Sequence, residues 1–259
     1  MDLGISGRTA IVCAASKGLG RACAEALAAE GVNIVLNARN AETLEKAAAE
    51  IAAQYRVMVT PVAADLSTES GRAALLTTCP MPDILVNNAG GPPPGDYRSW
   101  SAVDWEQALT TNMRAPIALI AAYADGMAER KFGRIINITS SVVRHPIDAQ
   151  GLSAAARSGL HGFVATIVRG LAKNNVTVNN LLPGAFATDR LLSNFAFRAK
   201  REGKPVDDVV AARKAELPAG RFGDPAELGR FCAYLCSAGA GYVSGQSIVL
   251  DGAAHPQAL

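Results

Sequence analysis

The first residues with recognisable chemistry form a short glycine-containing turn near the start of the chain. Ser16-Lys17-Gly18-Leu19-Gly20 follows an apolar segment at 8–14 that predicts a strand, and it opens a predicted helix at 18–30. Glycine lets the backbone approach a bound group closely, while a helix N-terminus offers unpaired N–H groups and a partial positive charge. The strand–turn–helix order therefore predicts a site for the pyrophosphate of a dinucleotide, contacted by these residues.

The end of the second predicted strand, at 32–38, indicates which nicotinamide cofactor is bound. A carboxylate there would hydrogen-bond a ribose 2′-hydroxyl and repel a 2′-phosphate. The strand is instead followed by Arg39, and the first carboxylate is that of Glu42. Arg39 and Lys17 can both reach a 2′-phosphate, the first as a bidentate fork and the second as a point charge. We therefore expect NADP(H) rather than NAD(H); the alternative is that both are solvated surface residues.

Apolar segments alternate with alanine-rich segments almost to the end of the chain. Strands are predicted at 8–14, 32–38, 57–63, 84–87, 134–139, 176–182 and 247–250, and the main helices at 18–30, 41–54, 105–130, 152–173 and 225–236. Short buried strands that alternate with helices are typical of a parallel sheet covered on both faces. The sequence therefore predicts an α/β protein, a Rossmann-type doubly wound parallel sheet that forms a single domain over 1–259.

Composition and charge argue against several classes of function. The net charge of +2 comes from 25 basic and 23 acidic residues scattered along the chain, so no basic patch predicts nucleic-acid binding. No apolar run reaches the length of a membrane span, and the first residues lack the features of a signal peptide. The five cysteines and three histidines lack metal-ligand spacing. We therefore expect a cytoplasmic protein that has reduced thiols and acts on a small molecule. We expect no metal site.

Motifs along nearly the whole chain resemble the short-chain dehydrogenase/reductase family, in particular its 3-oxoacyl-[acyl-carrier-protein] reductase branch. The family's turn, Thr-Gly-x-x-x-Gly-x-Gly, is matched at 13–20 except for Cys13 and Ala14. The further matches are Asp65-Leu66, Asn87-Asn88-Ala89-Gly90, Asn112, Ser140, Pro183-Gly184-Ala185-Phe186-Ala187-Thr188 and Gly241-Tyr242-Val243-Ser244-Gly245-Gln246. The resemblance implies a homotetramer and additional cofactor contacts from Asp65, Leu66, Asn88, Gly90, Pro183, Gly184, Phe186 and Thr188.

The resemblance also implies a catalytic set, which this chain carries only in part. In the family a serine orients the substrate oxygen, a tyrosine protonates it, and an asparagine holds a water that relays the proton. A lysine four residues after the tyrosine lowers the tyrosine pKa and holds the nicotinamide ribose. Asn112 and Ser140 match, but the register from Ser140 places Ser153 at the tyrosine position and Arg157 at the lysine position. No tyrosine occurs at 124–233 and no lysine at 132–172, so no neighbour restores the pair.

Ser153 and Arg157 replace that pair imperfectly. A serine hydroxyl lies closer to the backbone than a phenol and is a far weaker acid. Arg157 keeps a positive charge and can hold ribose hydroxyls, so it suits cofactor binding, but it does not give up a proton. Loss of a general acid typically costs about 10²–10⁴-fold in rate, which still leaves hydride transfer possible.

Three functions remain open from the sequence. The first is an atypical NADP(H)-dependent oxidoreductase that transfers hydride to or from a carbonyl or another activated C=O, C=N or C=C bond. Its proton would come from water held by Ser140 and Ser153, or from His145, which has a suitable pKa but is equally expected as a surface residue. The second is a catalytically inactive dinucleotide-binding regulator or partner subunit, and the third is a lyase or isomerase. The fold alone does not separate them.

Two insertions are expected to frame the substrate. The loop at 90–95 contains three consecutive prolines and is followed by Tyr97 and Trp100, which either contact ligand or cap a rigid connector. Residues 189–222 are expected to form a lid whose apolar side chains are Leu191, Leu192, Phe195 and Phe197. The basic run at 198–204 suits a phosphorylated carrier, although a solvated helix face explains it equally.

Overall fold

Seven parallel strands form one sheet, which confirms the doubly wound α/β fold expected from the sequence. The computed structural model describes residues 2–255, except for the side chains of Phe197 and Arg201. The strands are β1 (Thr9–Val12), β2 (Asn33–Ala38), β3 (Val59–Ala63), β4 (Ile84–Asn87), β5 (Gly133–Ile138), β6 (Val176–Pro183) and β7 (Ser247–Leu250). Their order is β3-β2-β1-β4-β5-β6-β7. The order reverses between β1 and β4, and a crevice for ligands opens beyond the carboxyl ends of the strands at such a point.

Helices cover both faces of the sheet. They are α1 (Gly18–Ala29), α2 (Ala41–Tyr55), α3 (Glu69–Thr78), α4 (Ala102–Leu109), α5 (Ala115–Glu129), α6 (Gly151–Ala172), α7 (Asp189–Glu202), α8 (Val206–Ala215) and α9 (Pro225–Cys236). A π-helical turn at Thr110–Arg114 joins α4 to α5, and short 3₁₀ turns occur at Tyr97–Ser99, Ser141–Val143, Asp148–Gln150 and Ala238–Ala240. None of the helices within 2–255 combines the length and the apolar character needed to cross a membrane.

Side chains of the strands alternate between two hydrophobic cores, one on each face of the sheet. Val12 and Val86 belong to the core beneath α1, α2 and α9. Their neighbours Ile11 and Leu85 belong to the core beneath α3, α5 and α6. Successive residues of a strand point to opposite faces, so strands covered on both sides must be apolar throughout. This alternation places the sheet in the middle layer between the helices. The carboxyl ends of the strands remain available to form a ligand site.

Close packing of α1 on α9 depends on one glycine and three buried thiols. A Cβ at Gly229 would lie 2.3 Å from the carbonyl oxygen of Ala22, so the two helices approach more closely than a side chain would allow. Cys23, Cys232 and Cys236 fill this contact, and all three are fully buried. The three thiols therefore act as small apolar groups in the packing of the two helices.

Most of residues 189–222, which the sequence predicted to form a lid, belong to α7 and α8. Phe195 stacks on Phe222 with ring centroids 5.4 Å apart, and both belong to a small third core between these helices. Leu191 packs at the edge of that core and Leu192 is exposed, while the side chain of Phe197 lies outside the described residues. The apolar positions of this segment thus serve mainly to hold α7 against α8.

Candidate active site

The glycine turn after β1 has the geometry of an anion site. Gly18 has a φ of +62°, and Ala14 adopts a left-handed φ of +47° where the family pattern has glycine. A Cβ at Gly20 would lie 2.5 Å from the carbonyl oxygen of Ala14, so the turn closes tightly against the start of α1. Lys17 occupies the N-cap position of α1 without a side-chain cap, which leaves the first N–H groups available to an anion. The residues present therefore fit a dinucleotide pyrophosphate.

Two neighbouring segments complete this part of the site. Asn88, just after β4, donates from its Nδ2 to the carbonyl oxygen of Ala14 at 3.3 Å and so ties the fourth strand to the turn. Thr188 caps α7 by accepting a hydrogen bond from the N–H of Leu191, and its methyl group would lie 3.7 Å from a Cβ at Gly18. The start of α7 therefore lies directly over the turn.

The residues expected around the adenosine lie at the carboxyl ends of β2 and β3. Arg39 follows β2 directly and is exposed. Hydrogen bonds from Ser67 hold the pKa of Asp65 below its usual value, and the charge of Arg39 lowers it further. Lys17, the second predicted phosphate ligand, lies 3.8 Å from the carboxylate of Asp189 on α7. Arg39 and Lys17 are thus both exposed, and each lies near a carboxylate, that of Asp65 for Arg39 and that of Asp189 for Lys17.

The remaining predicted cofactor residues have mainly structural surroundings. Leu66 packs against the core beneath α5 and α6, and Pro183 is buried at the end of β6. Gly184 approaches Asp251 so closely that a Cβ would lie 2.7 Å from its Cβ. Phe186 is buried in the core on the other face, and Gly90 stays exposed. Any contact of Phe186 with the cofactor would therefore come from its backbone.

Asn112 lies in the π-helical turn between α4 and α5. Its Nδ2 donates to the carbonyl oxygen of Ala108 at 3.3 Å. Its Oδ1 is buried and has no hydrogen-bond partner among the described residues. Single π-helical turns often occur at functional sites, and an unpaired buried oxygen calls for an acceptor role. The geometry therefore suits the binding of a water molecule.

Ser153 and Arg157 lie in contact on α6, beneath the ends of β4 and β5. Arg157 donates from Nε to Oγ of Ser153 at 3.2 Å and from Nη1 to the carbonyl oxygen of Ile138 at 3.0 Å. Its Nη2 lies 3.5 Å from the carbonyl oxygen of Ala89. Burial, together with the nearby charge of Arg190, lowers the pKa of Arg157 to about 10. At neutral pH the site therefore contains a buried, positively charged guanidinium.

Ser140 is the N-cap of the short turn after β5 and lies two residues beyond Ile138, whose carbonyl binds Arg157. Its Oγ accepts weakly from the N–H of Val142 at 3.4 Å. The hydroxyl proton remains available, because this contact uses only a lone pair. The structure thus places Ser140, Ser153 and Arg157 near the carboxyl end of β5.

His145 has surroundings that the sequence did not indicate. Its ring stacks on that of His255, with centroids 4.0 Å apart and planes at 10°. Nδ1 of His255 in turn lies 3.1 Å from a carboxylate oxygen of Asp251. The loop after β5 is therefore joined to the segment after β7, and His255 and Asp251 are additional polar neighbours of the site.

A chain of buried polar side chains crosses the sheet behind the site. Nδ2 of Asn87 donates to Oδ1 of Asn137, and Nδ2 of Asn137 donates to Oδ1 of Asn180, both at 2.9 Å. Asn180 donates to Oγ of Ser247, which lies 3.1 Å from Nδ1 of His161. The three asparagines and Ser247 lie directly opposite one another on the neighbouring strands β4, β5, β6 and β7. This network was not predicted, although asparagines inside apolar strands are its signal in the sequence.

His161 ends this network on α6, one turn beyond Arg157. Its Nε2 lies 3.0 Å from Oγ1 of Thr139, the residue before Ser140. Burial, together with the charges of Arg144 and Arg157, lowers the pKa of His161 to about 4. The ring is therefore neutral at physiological pH and links the polar network to the strand end that carries Ser140.

This depressed pKa predicts a stability change in acid. Unfolded His161 takes up its proton near pH 6.5, whereas folded His161 does so near pH 4. Its contribution is therefore complete above about pH 6.5 and is lost as the pH falls to about 4, a change of about 2–3 kcal/mol. Urea unfolding at pH 7 and pH 4 measures it. His161→Gln, which cannot titrate, is expected to lose less stability over this range than the unsubstituted protein, and equal losses would contradict the assignment.

Comparison with known proteins agrees with this geometry. The family model described as "Enoyl-(Acyl carrier protein) reductase" matches 13–255. The 3-oxoacyl-[acyl-carrier-protein] reductase FabG of Aquifex aeolicus is 31% identical over 258 residues, covering 97% of this chain and 99% of the relative. The NADPH-dependent reductase BacG of Bacillus subtilis is 30% identical over 256 residues, covering 96% and 98%. The crystal structure of L-sorbose reductase from Gluconobacter frateurii complexed with NADPH and L-sorbose has a TM-score of 0.92 at 31% identity, covering 97% and 98%.

The sheet order and the glycine turn define a dinucleotide-binding protein of the doubly wound α/β class. The family match and the relatives narrow this class further. The chain belongs to the short-chain dehydrogenase/reductase family, in the branch of the 3-oxoacyl-[acyl-carrier-protein] reductases.

Proposed function

We propose that this protein is an NADP(H)-dependent oxidoreductase that acts on an activated carbonyl, imine or conjugated C=C bond without a tyrosine proton donor. The observation that carries the proposal is the Arg157 guanidinium, which is hydrogen-bonded to Ser153 and to the end of β5 beside Ser140. A fixed positive charge stands where the family pattern has an ammonium group next to a phenol. The site can therefore stabilise developing negative charge, but it has no phenolic acid.

The choice of cofactor is supported from two sides. Arg39 is exposed at the end of β2, where a carboxylate would reject a 2′-phosphate. Among the relatives, BacG is named an NADPH-dependent reductase, and the sorbose reductase structure contains NADPH. We therefore propose NADP(H) in preference to NAD(H), held by the turn at 16–20 and by the segments that pack over it.

The roles of the catalytic residues follow from their contacts. Bound NADPH supplies the hydride. Ser140 orients the substrate oxygen through its free hydroxyl proton, and the charge of Arg157 stabilises that oxygen as electrons move onto it. Oδ1 of Asn112 binds a water molecule. The final proton comes from water held by Ser140 and Ser153, or from His145. An activated substrate suits this site, because proton transfer contributes less to the activation barrier of its reduction.

The setting of this activity is proposed from resemblance and from the surface. We propose a cytoplasmic homotetramer that converts a small molecule. Val103 on α4 and Tyr242 before β7 are large apolar side chains that are strongly exposed. Exposed apolar side chains of this kind are candidates for contacts between subunits.

Binding titrations followed by single-turnover assays test the proposal. NADPH is expected to bind more tightly than NADH, and its oxidation, followed by nicotinamide absorbance, is expected with enones, imines or quinones and to be slow with simple ketones. Binding without oxidation of any substrate would favour a regulator or partner subunit. Product formation without a change in nicotinamide absorbance would favour a lyase or isomerase.

A further inference from the structure

Arg157 carries a buried positive charge. It is 7% exposed, and its three hydrogen-bond acceptors are a serine hydroxyl and two backbone carbonyl oxygens. No carboxylate pairs with it in the part of the chain that the structure describes. A charge removed from water normally requires an opposite charge nearby. The surroundings of Arg157 therefore leave its charge uncompensated.

A second guanidinium converges on the same point. Arg190, at the start of α7, donates from Nη2 to the carbonyl oxygens of Gly91 at 2.9 Å and Pro92 at 3.2 Å. A Cβ at Gly91 would lie 3.3 Å from Nη2 of Arg190 and 3.5 Å from Nη2 of Arg157. Both nitrogens thus lie within 3.5 Å of one point. Arg190 likewise has no carboxylate partner among the described residues.

Each guanidinium keeps donors for a ligand. A guanidinium has five N–H groups. Arg157 directs three of them to protein acceptors, one at the long distance of 3.5 Å. Toward the residues that the structure describes, Arg190 donates only from Nη2. Gly90 and Gly91 carry no side chains that would fill the space between the two arginines. Two like charges held together by the fold, with donors remaining, form a receptor for an oxyanion.

The position of this pair identifies the ligand as part of the substrate. The acceptors that hold Arg157 are Ser153 and the carbonyl groups that follow β4 and end β5, beside Ser140. The uncapped start of α1, by contrast, is the place for the cofactor's pyrophosphate. We propose that Arg157 and Arg190 bind a carboxylate group of the substrate next to its reacting carbon. This inference rests on the proposed function and narrows its substrates to carboxylic acids.

Calorimetric titration of the protein–NADP⁺ complex with benzoate and benzamide tests the inference without turnover. The two probes have nearly the same shape, but only benzoate carries a charge. Benzoate is expected to bind at least about tenfold more tightly, since hydrogen bonds to charged groups are the stronger ones. Arg190→Gln is expected to remove most of this preference for benzoate over benzamide. Arg157→Lys keeps the positive charge but loses the forked pair of N–H donors, and it is expected to remove part of the preference. Arg190 is exposed, so its replacement is expected to leave the hydrophobic cores undisturbed.

Arg198→Gln is the matched control, because it removes the same charge from the same helix. Arg198 pairs with Glu202 at 2.6 Å, and this variant is expected to bind benzoate as before. Equal binding of benzoate and benzamide to the unsubstituted protein would overturn the inference. So would an Arg190→Gln variant that binds NADPH more weakly but benzoate unchanged, because the pair would then serve a cofactor phosphate. Failure of the proposed function would appear separately, as absence of hydride transfer to any substrate.

Discussion

Ser153→Tyr combined with Arg157→Lys is expected to raise kcat/KM for simple, unactivated ketones by about 10²–10⁴-fold, the usual contribution of a positioned general acid. In the native protein Oγ of Ser153 accepts from Nε of Arg157 at 3.2 Å, so the two side chains already form an i, i+4 pair beside Ser140. Replacing the guanidinium with a slimmer ammonium frees space for the phenol. The lysine can still donate to the carbonyl oxygen of Ile138, which Arg157 uses now.

The two substitutions are expected to act together. Ser153→Tyr alone places a phenol against a guanidinium that fills the site, and Arg157→Lys alone supplies no acid. Their combined gain should therefore exceed the sum of the single effects, as is usual for residues in direct contact. Steady-state assays with NADPH and a ketone panel measure this coupling.

A phenylalanine provides the matched control for the double variant. Ser153→Phe with Arg157→Lys has nearly the same volume without the hydroxyl, and it is expected to show no gain. If both double variants gain equally, the improvement comes from packing and not from proton transfer. If the unsubstituted protein already reduces simple ketones quickly, another group donates the proton, and the proposed preference for activated substrates is wrong.

The features that could be predicted from the sequence are those that depend on neighbours along the chain. Apolar runs predicted all seven strands, because a strand covered on both faces must be apolar throughout. Gly18 and Gly20 predicted a turn into a helix, and the substitution at Ala14 left its shape undecided. The structure resolves this point, since Ala14 takes the left-handed φ of a glycine. Such a conformation costs an alanine about 1–2 kcal/mol, which the surrounding contacts must offset.

The features that escaped prediction join distant segments. The polar chain from Asn87 to His161 depends on the register of four strands, which no single segment specifies. The approach of Arg190 to Gly91 brings together residues 99 positions apart. Residues 189–222 lacked the alternation of the sheet, yet they fold as α7 and α8 around their own small core. Each of these contacts is decided by tertiary packing and not by local pattern.

Gly20→Ala is expected to abolish high-affinity NADPH binding. The new Cβ would lie 2.5 Å from the carbonyl oxygen of Ala14 and 2.7 Å from Nδ2 of Asn88, so the turn must open or α1 must move. Either change moves the N–H groups at the start of α1 away from the pyrophosphate. Loss of two charge-assisted hydrogen bonds, each worth about 1.5–3 kcal/mol, would raise the Kd about a hundredfold or more. Overpacking should also lower the free energy of unfolding by about 1–3 kcal/mol.

Fluorescence titration with NADPH and urea unfolding separate these two effects. Gly170→Ala is the matched control, because a Cβ at that position on α6 would meet no atom within 4 Å. This control is expected to gain about 0.5–1 kcal/mol of stability, as alanine favours a helix more than glycine does, and to bind NADPH unchanged. A Gly20→Ala variant that binds NADPH as tightly as the control would show that the turn after β1 does not hold the cofactor. If Gly20→Ala binds NADPH weakly but keeps near-native stability, the rest of the fold is intact. The loss of NADPH affinity would then come from the turn itself.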